Sequence, residues 1–143
     1  MKKRIAILNG PNLDRLGRRE PELYGPATLR DLEKLLRTEA RRLGVTLTLF
    51  QSNHEGALID RLGAIADGRY HGIIINPGGL AHTSVALRDA IAGTGLPAIE
   101  VHLTDISRRE PFRRRSLTSS ACTAMLCGLG FAGYVRALRR LAK

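Results

Sequence analysis

Four short apolar runs constrain the fold of this 143-residue chain more than any other feature: each opens into a polar loop, and residues at helical spacing separate each from the next. The runs are Arg4–Leu8, Val45–Phe50, Ile73–Ile75 and Ala98–Val101. Ile73-Ile74-Ile75 is apolar without alternation, as in a strand covered on both faces. Between the runs, Leu29, Leu32, Leu35, Leu36, Ala40 and Leu43 follow helical spacing, as do Leu58, Ile59, Leu62 and Ile65, then Val85, Leu87, Ala90 and Ile91. Thr28 with Asp31 predicts a capped start for the first helix, and Gly44 its end. Thr83 is the expected cap of the third helix, and a short fifth strand is expected near Ala121–Ala124. A last helix turns Tyr134, Leu138 and Leu141 inward and Arg136, Arg139, Arg140 and Lys143 outward. Strands alternating with helices predict an α/β fold with a doubly wound, five-stranded parallel sheet. The flavodoxin-like strand order 2-1-3-4-5 is expected, with a ligand site at the switch point between strands one and three. With no linker in view, residues 1–143 are expected to form a single domain.

The loops that follow the strands carry the chemistry. Asn9 to Gly25 is a long stretch rich in Gly, Pro, Asn and Arg, and loops of this length in compact domains are functional or disordered. It contains neither GxGxxG nor GxxxxGK[ST], so it reads as a holder of a small polar substrate and not as a phosphate loop. It delivers Asn12, Arg19 and Tyr24 to the carboxyl edge of the sheet. Strand three opens into Asn76 to Ser84, with His82, and strand four into Glu100, His102, Thr104 and Asp105. Tyrosine acts as a base only as the phenolate, which a nearby guanidinium favours; Arg19 shares the loop, so the pairing is feasible, while spacing alone favours Tyr24 as a packing residue at the loop's base. His102 suits a general acid. Glu100, two residues earlier on a strand, shares its side and could orient it; a half-buried histidine with purely structural partners is the other reading.

Several chemistries find no residues. The histidines at 54, 71, 82 and 102 lack metal-ligand spacing. The only lysines are Lys2, Lys3, Lys34 and Lys143, terminal or on an outer helix face, so no Schiff-base nucleophile is expected. A GxSxG elbow is missing. Cys122 and Cys127 read as buried thiols. No apolar run reaches membrane-spanning length, and the run after the basic start is too short for a signal peptide, so a cytoplasmic protein is expected. The formal net charge is +10, which points to anionic partners. Arg108, Arg109, Arg113, Arg114 and Arg115 form the densest basic patch. One of them is expected to enter the site and bind an anionic group. The competing reading makes Arg108–Arg115 the surface of a non-catalytic module for anions or nucleic acid, but the stacking aromatics of single-strand binders are scarce.

Four segments, LNGPNLDRLGRREPELYG, FQSNHEGALIDRL, INPGGLAHTSVALRDA and EVHLTDISRREPFRRRS, together resemble the type II 3-dehydroquinate dehydratases, or type II dehydroquinases. The resemblance implies the flavodoxin-like fold and an anti elimination of water from 3-dehydroquinate through an enolate, giving 3-dehydroshikimate in the shikimate pathway, with no metal or cofactor. It implies Tyr24 as the base at C2, Arg19 as the partner of its phenolate and His102 as the acid at the C1 hydroxyl, backed by Glu100. Asn12 would hold a water against the enolate oxygen. Asn76, His82, Arg113 and the backbone amides of Leu103 and Thr104 would bind substrate, and Asp89 would reach a neighbouring subunit's site. It further implies a homododecamer of four trimers and a lid around Arg18–Gly25. The chain departs from the family pattern at Asp14, Arg15, Gly79-Leu80-Ala81 and Asp105. Asp105 would set a negative charge beside the carboxylate pocket unless an arginine of the 108–115 run pairs with it.

Overall fold

The computed structural model describes residues 2–143, so Met1 of the expected domain lies outside the described residues. Five strands form one parallel sheet: β1 Arg4–Asn9, β2 Thr46–Gln51, β3 Gly72–Asn76, β4 Ala98–His102 and β5 Ala124–Cys127. Their order is β2-β1-β3-β4-β5, the flavodoxin-like order expected. Ile7 stands between Leu49 and Ile74 in register, and Ile74 in turn beside Ile99. The helices are α1 Pro21–Tyr24, α2 Leu29–Leu43, α3 Glu55–Asp67, α4 Val85–Gly93 and α5 Phe131–Ala142.

Strand pleating sends alternate residues to two cores. On one face Ile5, Ile7, Ile74, Ile99 and Val101 pack with Leu32 and Leu36 of α2 and with Tyr134 and Leu138 of α5. On the other, Ala6, Leu8, Ile73 and Ile75 meet Leu58 and Leu62 of α3 and Leu87 and Ile91 of α4. Each fully buried aliphatic side chain contributes about 1.5–3 kcal/mol. Tyr134 brings its hydroxyl into the core and donates it to Asn9 Oδ1 at 2.6 Å. Among the described residues no buried side-chain polar atom lacks a partner.

Local signals set the helix ends. Thr28 and Asp31 form a complete capping box, and Gly44 closes α2 at φ 71°. Three expectations need correction. Ser84, not Thr83, caps α4, because its Oγ accepts Leu87 N–H at 2.8 Å. The fifth strand runs over Ala124–Cys127 and not Ala121–Ala124, because Thr118–Ala121 is wound into a 3-10 turn. The Thr123 amide and hydroxyl both reach the Ala98 carbonyl at 2.8 Å, which launches β5 after that turn. Leu35 obeys helical spacing but lies at the edge of the apolar stripe, 41% exposed.

At the switch point the loops after β1 and β3 touch backbone to backbone. The Gly10 amide donates to the Asn76 carbonyl at 2.8 Å. A Cβ on Gly10 would stand 2.5 Å from the Pro77 oxygen, and one on Gly78, at φ +61°, would stand 2.9 Å from the Pro11 oxygen. Only glycine permits this approach, and it lets the two loops line one cavity.

Candidate active site

The cavity, about 220 Å³, opens at the carboxyl ends of β1, β3 and β4. Pro11, Asn12 and Leu13 form its β1 wall, Asn76, Gly78, Gly79 and His82 its β3 wall, and His102, Leu103, Thr104 and Ile106 its β4 wall. Arg19, Tyr24, Arg109 and Arg113 close it from above.

Asn12 sits in the left-handed region at φ 70°. Its amide donates to Asn53 Oδ1 at 2.9 Å, and Gln51 Nε2 donates to that same oxygen at 3.1 Å and to the Gly10 carbonyl at 3.2 Å. The polar end of β2 therefore does not line the cavity; it braces the loop that does. Asn76 is braced likewise, its Oδ1 accepting the Gly78 amide at 3.1 Å.

Two histidines face each other across the β3 and β4 walls, with ring centroids 6.3 Å apart and planes inclined at 24°. His82 Nδ1 lies 2.8 Å from the Arg115 carbonyl oxygen. A carbonyl only accepts, so Nδ1 carries a proton. His102 Nε2 lies 2.7 Å from Glu100 Oε2. Glu100 is fully buried and also accepts the hydroxyls of Ser116 and Thr118. With three donors aimed at it the carboxylate is the acceptor, so the His102 Nε2 proton points to Glu100 and Nδ1 is the ring's remaining nitrogen.

Above the cavity, α1 places Tyr24 between two guanidinium groups. The Arg19 Cζ lies 5.4 Å from the ring centroid and the Arg109 Cζ 5.6 Å. Only Arg109 reaches the oxygen: its Nη1 donates to Tyr24 Oη at 3.0 Å and to Thr104 Oγ1 at 3.3 Å. Burial works against the Arg109 charge, but the bond and attraction to Tyr24, with Glu110 and Glu20 beyond, outweigh it and hold the guanidinium more firmly protonated than usual. The Glu110 carboxylate stands 3.5 Å from Arg109 Nε and 3.1 Å from Arg113 Nε, so one acid steadies both cations.

Of the residues picked from sequence, Asn12, Arg19, Tyr24, Asn76, His82, His102, Leu103, Thr104 and Arg113 meet around the cavity, and Glu100 lies directly behind His102. Asp89 does not. It sits exposed on α4, paired with Arg88 Nη1 at 3.1 Å. Sequence reasoning missed Arg109. The expectation that the arginine run would send a member inward understated it: Arg109 and Arg113 both turn in, with side chains 14% and 26% exposed, while Arg108 remains 86% exposed. Arg108 has another task. Asp105 takes the Ser107 amide at 3.0 Å and lies 3.7 Å from Arg108 Nε. The Ser107 hydrogen bonds, with lesser help from Arg108, hold the Asp105 carboxyl below the usual range. The expected negative charge is thus engaged away from the cavity. Among the described residues no group of three or more His, Cys, Asp or Glu could hold a metal ion. Among the described residues no helix is long and apolar enough to cross a membrane.

The sequence and the fold both have known relatives. The family described as Dehydroquinase class II matches residues 3–142. The 3-dehydroquinate dehydratase of Herminiimonas arsenicoxydans is 53% identical over 138 residues, covering 96% of this chain and 95% of that protein. Catabolic 3-dehydroquinase 2 of Aspergillus terreus is 52% identical over 139 residues, covering 97% and 94%. The crystal structure of the type II dehydroquinase from Butyrivibrio crossotus superposes with a TM-score of 0.98 at 36% identity, covering 99% of each chain. That from Propionibacterium acnes gives 0.95 at 42% identity, covering 99% and 97%. Sequence and fold agree along nearly the whole length, and the chain belongs to the class II dehydroquinase family.

Proposed function

We infer that this protein is a type II 3-dehydroquinate dehydratase, a hydro-lyase that converts 3-dehydroquinate to 3-dehydroshikimate in the shikimate pathway. One observation carries the reading of its site: a phenol oxygen that receives a guanidinium N–H and a histidine backed by a buried carboxylate open on the same cavity.

The substrate ketone acidifies the neighbouring C2 proton, but the enolate needs stabilisation and the C1 hydroxyl needs a proton to leave. Tyr24, as phenolate, removes the C2 proton. Arg109, donating to Oη, and Arg19, beside the ring, set positive charge where the phenolate charge lies. Electrons pass to the ketone oxygen, and Asn12 holds a water against that oxygen. The enolate then expels the C1 hydroxyl, which takes a proton from His102 and departs as water. Tyr24 is left protonated and His102 deprotonated, and one proton exchange through solvent resets both. Asn76, His82, Arg113 and the amides of Leu103 and Thr104 hold the substrate hydroxyls and carboxylate. The segment Arg18–Gly25 acts as the lid that brings the base over the substrate and excludes water. Its turning points are Gly17 at φ 86°, Glu20 at φ 43° and Gly25 at φ 85°.

The 143 residues act as one catalytic domain, and the enzyme works in the cytoplasm as a dodecamer of four trimers. The placement of Asp89 fits that assembly, since it lies exposed on α4 outside its own subunit's cavity, where its partner is the neighbouring Arg88. Light scattering of the pure protein tests it: twelve subunits are expected, and a stable monomer with full activity would contradict it. The activity itself is tested by incubating wild-type protein with 3-dehydroquinate and following the absorbance of the conjugated product. Turnover without added metal is expected; no turnover between about pH 6 and 9, where general acid–base groups operate, would reject the function.

A further inference from the structure

We propose that Ser116 and Thr118 are positioning residues for the dehydration, because their hydroxyls fix the Glu100 carboxylate that orients His102. The inference rests on the reading of His102 as the acid.

A fully buried carboxylate is tolerated only when its oxygens are occupied by donors. Glu100 has no lysine or arginine within ion-pair distance among the described residues; its partners are His102, Ser116 and Thr118. Ser116 Oγ stands 2.5 Å from Glu100 Oε2, and Thr118 Oγ1 bonds Oε1. A hydroxyl has one proton to give. Ser116 Oγ accepts the Ser119 amide at 3.1 Å and lies 3.2 Å from Thr118 Oγ1, and Glu100 Oε2 is the nearer acceptor for its proton. Thr118 is fully buried at the start of the 3-10 segment Thr118–Ala121, and its hydroxyl lies between Glu100 Oε1 and Ser116 Oγ. Neither residue lines the cavity, so neither touches substrate.

The same short segment fixes the second histidine. The Arg115 carbonyl takes the His82 Nδ1 proton at 2.8 Å, and the Leu117 amide donates to the Ala81 carbonyl at 2.7 Å, tying the segment to the β3 loop. Residues 115–118 are therefore a strap across the back of the site that sets the hydrogen-bonding sense of both rings. Without the two hydroxyls, Oε1 loses its donor and Oε2 keeps only His102. The carboxylate is then free to turn, and that removes the fixed acceptor that holds Nε2–H away from the cavity.

The test compares Ser116→Ala, Thr118→Val, the double variant and the conservative Thr118→Ser with wild type and His102→Ala. The double variant is expected to lose roughly tenfold or more in kcat, part of what a positioned acid supplies, with KM within about twofold. Thr118→Ser is expected to stay near wild type, and the 15N signals of the His102 ring are expected to move in the double variant. A folded double variant with wild-type kcat and unmoved ring signals overturns the proposal, as does an effect confined to KM. Should Thr118→Val fail to fold, Ser116→Ala is judged by the same two readouts. His102→Ala separates the levels. If it keeps full activity, the acid reading itself fails; if it is inactive while the double variant is fully active, only the strap is rejected.

Discussion

The Tyr24 oxygen is the residue on which the chemistry turns, and its neighbour in space is Arg109, 85 positions away in sequence. Removing the donor by Arg109→Ala is expected to lower kcat by roughly 10²–10³-fold, the range for one preorganised electrostatic partner. Steady-state kinetics against Arg19→Ala will rank the two guanidinium groups, and the direct hydrogen bond puts Arg109 first. Tyr24, Glu100 and His102 stand out in the sequence, as a lone phenol in a long polar loop and as two residues that a strand must place on one side, but their roles came only with the family resemblance. Arg109 does not stand out. It lies between the short turns Ile106–Arg108 and Pro111–Arg113, where no periodicity relates position to direction, and five arginines competed for the role.

Elements meet at the site because backbones approach closely. Gly10→Ala is expected to destabilise by about 1–3 kcal/mol, the usual cost of overpacking, since its methyl would press on the Pro77 carbonyl. A denaturant midpoint that does not fall would show that the β3 loop can give way. Kinetics of the same variant should worsen as well, because Asn12 and Asn76 ride on the two loops. Strand order, helix positions and both cores were readable from apolar spacing and caps. The misplacements were local: Thr83 and Ser84 are adjacent hydroxyls of equal capping chemistry, and tertiary contact decides between them. Ser84 is buried and also donates to Glu55 Oε2 at 2.5 Å, which joins α4 to the start of α3. The fifth strand starts three residues later than expected because Thr118–Ala121 is wound into a 3-10 turn whose Thr118 bonds Glu100.

Across the whole molecule, Glu39 links the first long helix to the last. Its carboxylate binds Arg42 within α2 and Arg139 of α5 at 2.7 Å. Those hydrogen bonds, Arg42 foremost, hold its pKa at about 2 against an ordinary value of 4.5. The folded state therefore binds this proton more weakly than the unfolded chain. The resulting stability is complete above pH 4.5 and is lost as pH falls toward 2. Glu39→Gln should melt below wild type at neutral pH, and the gap in Tm should close as pH falls through that window. A gap independent of pH would mean that packing, and not charge, ties the helices. Sequence placed Arg139 on an outward face but offered no sign of its partner, because the contact spans the packing of α2 on α5.

The most direct test of the chemistry is the rate at which Tyr24→Phe forms 3-dehydroshikimate, measured beside wild type with the melting temperature of each. The variant loses one hydroxyl from a half-buried ring and keeps its packing. The expected result is a fall of at least about 10²-fold in kcat at nearly unchanged Tm, the loss of a positioned base. A Tyr24→Phe protein that turns over at close to the wild-type rate would contradict the assignment of the phenolate as the group that takes the C2 proton.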